Sequence, residues 1–191
     1  EFLSALLHNA IFGLDSYMLE SRTRREFLLR APGQIDEIAE AVAAQYGDEA
    51  ARRKFRVVLF ELMTNALFYG ARDEHGDNKH DWVRDFRLSE EEAVAVTACL
   101  DAEKIGVSVL DRGGKLDKRT VLYWLDRQTT HNENGLPFGV LDYHGRGFFI
   151  TRKYVDRFLI NIEKGKRCEF CVFNYFKSKP SANKPLLINE I

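Results

Sequence analysis

The stretch FRVVLFELMTNALFYG, residues 55–70, has apolar residues on nearly every side of a helical wheel, yet carries Glu61 and Asn65 four residues apart. Side chains at i and i+4 project together from one face of a helix. Burying a carboxylate and an amide without partners costs on the order of 1 to 3 kcal/mol each, and more for the charge. Something polar must meet the pair, either other side chains and the nearby loop or a ligand.

Working outward, Asp48 is placed to cap this helix. Ahead of it, APGQIDEIAEAVAAQYG (31–47) sets Ile35, Ile38, Ala39, Val42 and Tyr46 on one helical face, with Pro32 and Gly33 before the helix and Gly47 closing it. The end of SRTRREFLLRA (21–31) reads as a strand. The opening EFLSALLHNAIFGL (1–14) has helical spacing, with an apolar stripe of Phe2, Leu3, Leu6, Leu7, Ile11 and Leu14. That stripe is expected to pack on a second copy of the chain, as a homodimer, or to continue into an upstream domain.

Downstream, ARDEHGDNKHDWVRDFRLSEEE (71–92) is a polar stretch without a clear period and reads as an inserted loop or extra hairpin. AVAVTACL (93–100), the turn DAEK and IGVSVLD (105–111) form an antiparallel pair, since Val94, Val96, Ala98 and Leu100 alternate, as do Ile105, Val107 and Val109. A helix around KRTVLYWLDRQ (118–128) leads into the glycine-rich, mobile TTHNENGLPFGVLDYHGRG (129–147). A helix FFITRKYVDRF (148–158) and two strands, FLINIE (158–163) and CEFCVFNYF (168–176), complete the pattern. The tail from Lys177 reads as loosely held. This order predicts an α+β fold, a two-layer α/β sandwich with a mixed, mostly antiparallel sheet and helices on one face. Three parts are expected: a helix or connector at 1–24, the main domain at 25–176 and a C-terminal tail at 177–191.

The 191 residues, 45% hydrophobic, suffice for one substantial core. Lys and Arg number 28 against 29 Asp and Glu, for a formal charge of −1, and the basic residues are scattered, so no polyanion surface is marked and nucleic acid is not an expected partner. No run approaches the roughly 18 to 20 apolar residues of a membrane span, and no signal peptide opens the chain. The expectation is a soluble cytoplasmic protein; because the first residue is Glu1 and not Met, a longer parent chain stays open. Cys99, Cys168 and Cys171 cannot all pair, and each lies in a predicted strand. Cys168 and Cys171 form a CxxC, but strand residues three apart face opposite sides of a sheet, so packed thiols are expected, not a zinc site. His75 and His80 in HGDNKH read as a polar loop that could hold a surface metal.

Two further stretches carry chemistry. In VSVLDRGGKLD (107–117), Asp111 ends a hydrophobic strand and Gly113 and Gly114 come directly after. A strand-end carboxylate accepts hydrogen bonds and glycines admit a ligand close to the backbone, which suits a flat ring with an exocyclic amine such as adenine; a plain Asp-Gly turn has the same pattern. In HGRGFFITRKYVD (144–156), Gly145 and Gly147 open a helix, whose exposed amides and dipole suit phosphate.

In this order and spacing, the three features resemble the N, G1 and G2 boxes of the GHKL superfamily, the histidine-kinase-like ATPases with the Bergerat ATP-binding fold. The resemblance covers about residues 26–176. ELMTNALFYG is similar to the E-L-x-T-N-A-x-x-H-G of the anti-sigma-factor serine kinases, and HGRGFFITRKYVD to their G-R-G-L-x-L-I-x-x-x-x-D. The resemblance implies ATP and Mg²⁺ as cofactors, with Asn65 holding Mg²⁺ on the ATP phosphates and Glu61 as general base. It implies that Asp111 reads the adenine amine with Gly113 beneath the ring, that Gly145 and Gly147 frame a mobile lid, and that Arg146 contacts the phosphates. The implied activity is a serine/threonine protein kinase acting on a small anti-sigma-factor antagonist and sequestering a sigma factor or similar partner.

Lys115 departs from the family's D-x-G-x-G-[FI]-D, standing where the second glycine belongs, although Leu116 and Asp117 match the hydrophobic and acidic positions that end the pattern. The interval from Asn65 to Asp111 is also longer than a minimal member needs, which puts the 71–92 insertion beside the site. Two alternatives stay open. One is the ATP-binding half of a histidine kinase, although His8 in LLHNAIF lacks the usual acidic or arginine neighbour after it. The other is a partner-switching binding module that holds nucleotide poorly, which Lys115 keeps alive.

Overall fold

The computed structural model describes residues 12–18, 23–71, 85–141, 145–177 and 184–191. Their centre is a six-stranded sheet in the order β1-β2-β3-β5-β4-β6: β1 (Thr23–Leu29), β2 (Val94–Leu100), β3 (Lys104–Asp111), β4 (Arg157–Glu163), β5 (Arg167–Tyr175) and β6 (Leu186–Glu190). All neighbours run antiparallel except β4 and β6. Helices α1 (Ile35–Ala43), α2 (Glu49–Asn65), α3 (Lys118–Thr129) and α4 (Arg146–Tyr154) share one core with one face of that sheet. The fold is therefore α+β, a two-layer sandwich with a mixed, mostly antiparallel sheet, as the order of elements predicts.

Strand alternation divides the sheet into two environments. Val94, Val96 and Ala98, then Ile105, Val107 and Val109, then Phe158, Ile160 and Ile162 are buried on the helical side. They meet Ile35, Ile38, Ala39 and Val42 of α1 and Phe55, Val58, Leu59 and Leu62 of α2. Each fully buried aliphatic or aromatic side chain contributes about 1.5 to 3 kcal/mol, so this layer carries most of the stability. On the opposite face, Cys99, Leu159, Cys171 and Phe173 form a smaller cluster with Leu14, Tyr17 and Met18. Cys168 belongs to the first cluster and Cys171 to the second, as residues three apart on a strand must; all three thiols are free and buried.

Local chemistry sets the helix starts. Asp48 accepts from the Ala51 amide at 2.7 Å and caps α2, and Asp117 does the same for α3 through the Thr120 amide at 2.7 Å. Asp156 accepts from the Tyr175 amide at 2.8 Å, fixing the short link from α4 into β4 against β5.

Several expectations change. The tail is not loose along its length: Leu186–Glu190 pairs with β4, and Glu190 Oε2 accepts from the Lys118 amide at 2.6 Å, tying this edge strand to the start of α3. Leu-Leu-Ile-Asn-Glu, short and without alternation, does not declare itself a strand without the β4 edge beside it. Helix α4 stops at Tyr154, because Arg157 and Phe158 are already in β4. Strand β1 begins at Thr23, inside the segment expected to be connector. Of the opening helix, residues 1–11 lie outside the described residues; Phe12 and Gly13 are not helical, and Leu14–Tyr17 forms one 3-10 turn with Leu14 buried on the back of the sheet. His75, His80 and most of the 71–92 insertion also lie outside them, while its end is docked: the Leu88 amide donates to the Arg30 carbonyl at 2.8 Å and the Phe86 ring packs on Phe68.

Candidate functional site

Glu61 and Asn65 lie at the C-terminal end of α2 and are half-buried. Leu62 and Met63, between them, are fully buried, so the surrounding apolar face is what holds the helix in place and aims the polar pair outward. Beyond Asn65 the helix widens into a π-type turn, Ala66–Ala71. Such turns accommodate an extra residue and recur at functional sites. Tyr69 stands on the same side; burial pushes its hydroxyl well above the ordinary range, and the Glu61 charge pushes it the same way.

The turn brings Gly70 onto Asp111. A methyl group at position 70 would lie 2.6 Å from Asp111 Oδ2 and 2.8 Å from its Cβ, so only glycine fits. Asp111 closes β3 and is 2% exposed. Its Oδ1 accepts from the Gly113 amide at 3.0 Å and the Gly114 amide at 3.3 Å. Burial pushes its carboxyl up to about 6, against the opposing pull of those amides and of Lys115. Gly113 has a packing reason to be glycine as well, since a side chain there would run into the Gly70 carbonyl. Gly114, at φ +59, makes the left-handed turn against the β4–β5 connection, and its carbonyl accepts from the Gly165 amide at 2.8 Å. Lys115 is exposed, Leu116 packs on the core and Asp117 serves as the α3 cap.

Gly145 is the N-cap of α4 at φ +77, with no side-chain cap, and its Cα packs on Trp124 of α3. Gly147, the second residue of the helix, is buried against the polar pair: a methyl group there would stand 2.9 Å from Glu61 Oε2 and 3.1 Å from Asn65 Nδ2. Arg146 between them is exposed. Thr64, beside Asn65, and Thr151, one turn beyond Gly147, carry buried hydroxyls without hydrogen-bond partners among the described residues. The loop before α4 is held to α3 where Gln128 Nε2 donates to the Gly139 carbonyl at 3.2 Å.

The fold thus gathers Glu61, Asn65 and Gly147 at one contact and joins Asp111 and Gly113 to the same helix through Gly70, in the π-type turn that follows it. Gly145 and Arg146 flank the first group at the head of α4. Reading the sequence missed Gly70 and Trp124. Gly70 did leave a signal, a glycine ending a helical apolar run where it costs about 1 kcal/mol against alanine; Trp124 left none. Among the described residues no group of three or more His, Cys, Asp or Glu side chains is gathered to hold a metal, and no helix is long and apolar enough to cross a membrane. No family model matches the chain, and no curated protein matches it.

Proposed function

We propose that the chain binds ATP with Mg²⁺ and acts as a serine/threonine protein kinase of the anti-sigma-factor type, with a small regulatory protein, the antagonist of an anti-sigma factor, as substrate. The observation that carries this reading is the contact of the Gly147 backbone with both Glu61 and Asn65. A residue of the third motif touches the two polar residues of the first, and the turn that follows that helix meets the carboxylate of the second through Gly70.

The donor set suits the ligands. Asn65 offers one hard oxygen, adequate for Mg²⁺, which keeps waters and substrate phosphates as most of its ligands; when bound, the ion neutralises charge on those phosphates. The amides at the start of α4, without a side-chain cap, suit phosphate oxygens. Asp111 is an acceptor for an exocyclic amine. Glu61 accepts the proton of the attacking hydroxyl as its oxygen bonds to the γ-phosphorus. The bond from that phosphorus to the β–γ bridging oxygen breaks, and ADP leaves with the electron pair.

A second reading, a partner-switching module without turnover, draws on the near-complete burial of Asp111. Calorimetric titration with ATP and Mg²⁺, followed by phosphotransfer to candidate regulatory proteins, separates the two. Glu61→Gln is expected to keep ATP binding and lose about 10² to 10⁴ in transfer rate, and Asn65→Ala to lose Mg²⁺-dependent binding as well. An active Glu61→Gln protein removes the base from the mechanism. Phosphate recovered on histidine turns the reading to a histidine-kinase domain, and wild-type protein that binds neither ATP nor ADP at millimolar concentration leaves the binding module.

A further inference from the structure

Asp111 has two oxygens in different situations. Oδ1 is engaged by the amides of Gly113 and Gly114, and the Cys168 amide also hydrogen-bonds the carboxyl, which makes Oδ2 the oxygen not held by the loop amides. Oδ2 is also the oxygen that lies against Gly70. The direction in which the carboxylate faces is therefore set by its own loop amides on one oxygen and by a residue outside its strand and loop on the other.

Gly70 sits in the π-type turn without a left-handed backbone, so its glycine identity answers a need for space and not for an unusual conformation. The contact is interlocked. The Cα of Gly70 meets the carboxylate while its carbonyl meets Gly113, so the floor and the wall of the site are both built on one residue. A methyl at position 70 would meet the carboxylate head, which can swing about its side-chain torsions, as well as the less mobile Cβ. We infer that Gly70 is a positioning residue for base selectivity: its bare Cα holds Asp111 Oδ2 in the orientation that accepts an adenine-type amine and turns away a ring bearing a carbonyl at that place. This inference rests on the nucleotide reading above.

The charged and titratable groups that bear on Asp111 among the described residues are Lys115, on the loop leaving β3, and Cys168, its register partner on β5.

The test compares wild type with Gly70→Ala in two measurements. Calorimetry with ATP and GTP reads selectivity: the wild type is expected to prefer ATP, and Gly70→Ala to narrow that preference at least tenfold. Carboxyl-carbon NMR of the ligand-free protein reads position: Asp111 is expected to titrate near 6 in the wild type and to move toward the ordinary carboxylate range in Gly70→Ala. A folded Gly70→Ala protein with unchanged preference and unchanged titration overturns the proposal. Should Gly70→Ala fail to fold, the wild type decides alone, since a chain that binds GTP as tightly as ATP has no such selectivity. Wild-type protein that binds neither nucleotide overturns the selectivity and the nucleotide reading together. Binding without a preference for ATP overturns the selectivity alone.

Discussion

Asp111 sets stability against the proposed nucleotide binding at a single carboxyl. Its folded-state value, pushed up to about 6 by burial, lies above the 3.8 of a free aspartate. The neutral form therefore favours the fold below about pH 4, and that contribution is lost as the pH rises through 6. The shift corresponds to on the order of 2 to 3 kcal/mol for a side chain only 2% exposed. Asp111→Asn, which cannot ionise, is expected to be more stable than the wild type in urea at pH 8, with most of the difference gone at pH 4. The same substitution is expected to weaken adenosine binding at pH 8 by at least tenfold. A stability difference that is the same at both pH values would mean the carboxyl is not desolvated in solution.

Helices and turns make the next scale testable. Gly147 lies within α4 with ordinary helical geometry, so Gly147→Ala gains helix propensity of up to about 1 kcal/mol. The new methyl crowds the ends of the Glu61 and Asn65 side chains, which can shift, and meets the Glu61 Cβ at an ordinary contact distance of 3.5 Å. The expected outcome is an unchanged or raised melting temperature together with a loss of Mg²⁺-dependent ATP binding, read by calorimetry. At the β2–β3 turn the balance is the reverse. Lys104 Nζ stands 2.7 Å from Asp101 Oδ2 with both side chains almost wholly buried, and Asp101 Oδ1 accepts from the Glu103 and Lys104 amides. Lys104→Met leaves that carboxylate without its cation, at a cost of about 3 to 5 kcal/mol. Urea denaturation is expected to show this loss, while the proposed nucleotide binding at Asp111, at the opposite end of β3, is expected to keep its affinity in the folded protein.

For the whole molecule, the informative element is the last one. β6 lies at the sheet edge, yet it covers β4 and reaches α3 through the bond from the Lys118 amide to Glu190. Truncation after residue 177 removes both ties and exposes the β4 edge, an invitation to strand pairing between copies. A lower urea midpoint and concentration-dependent association in light scattering are expected. A truncated chain that stays monomeric with the same midpoint would show β6 to be dispensable. On the far side of the sheet, Asn161 Nδ2 donates to the Phe12 carbonyl at 2.9 Å and to Glu169 Oε2 at 3.0 Å, and Ser108 donates to Glu169 Oε1 at 2.6 Å. These bonds, with buried Leu14, fasten residues 12–18 to the strands that carry Asp111 and Cys168.

Periodicity and local hydrogen-bonding chemistry determined much of this protein by themselves. The amphipathic faces of α1 and α2, the Asp48 cap, the alternation of β2 and β3, the opposite facing of Cys168 and Cys171 and the helix start at Gly145 all come from spacings of two to four residues, which neighbours in the chain enforce alone. The pairing of Glu61 with Asn65 was legible for the same reason. What tertiary structure decided are the contacts between distant segments. Gly147 against Glu61 and Asn65, Gly70 against Asp111, Gly145 on Trp124 and β6 beside β4 each depend on backbones brought together by packing. No local pattern encodes them, because a glycine chosen for space and a strand formed only along an existing edge acquire their meaning from the partner they meet.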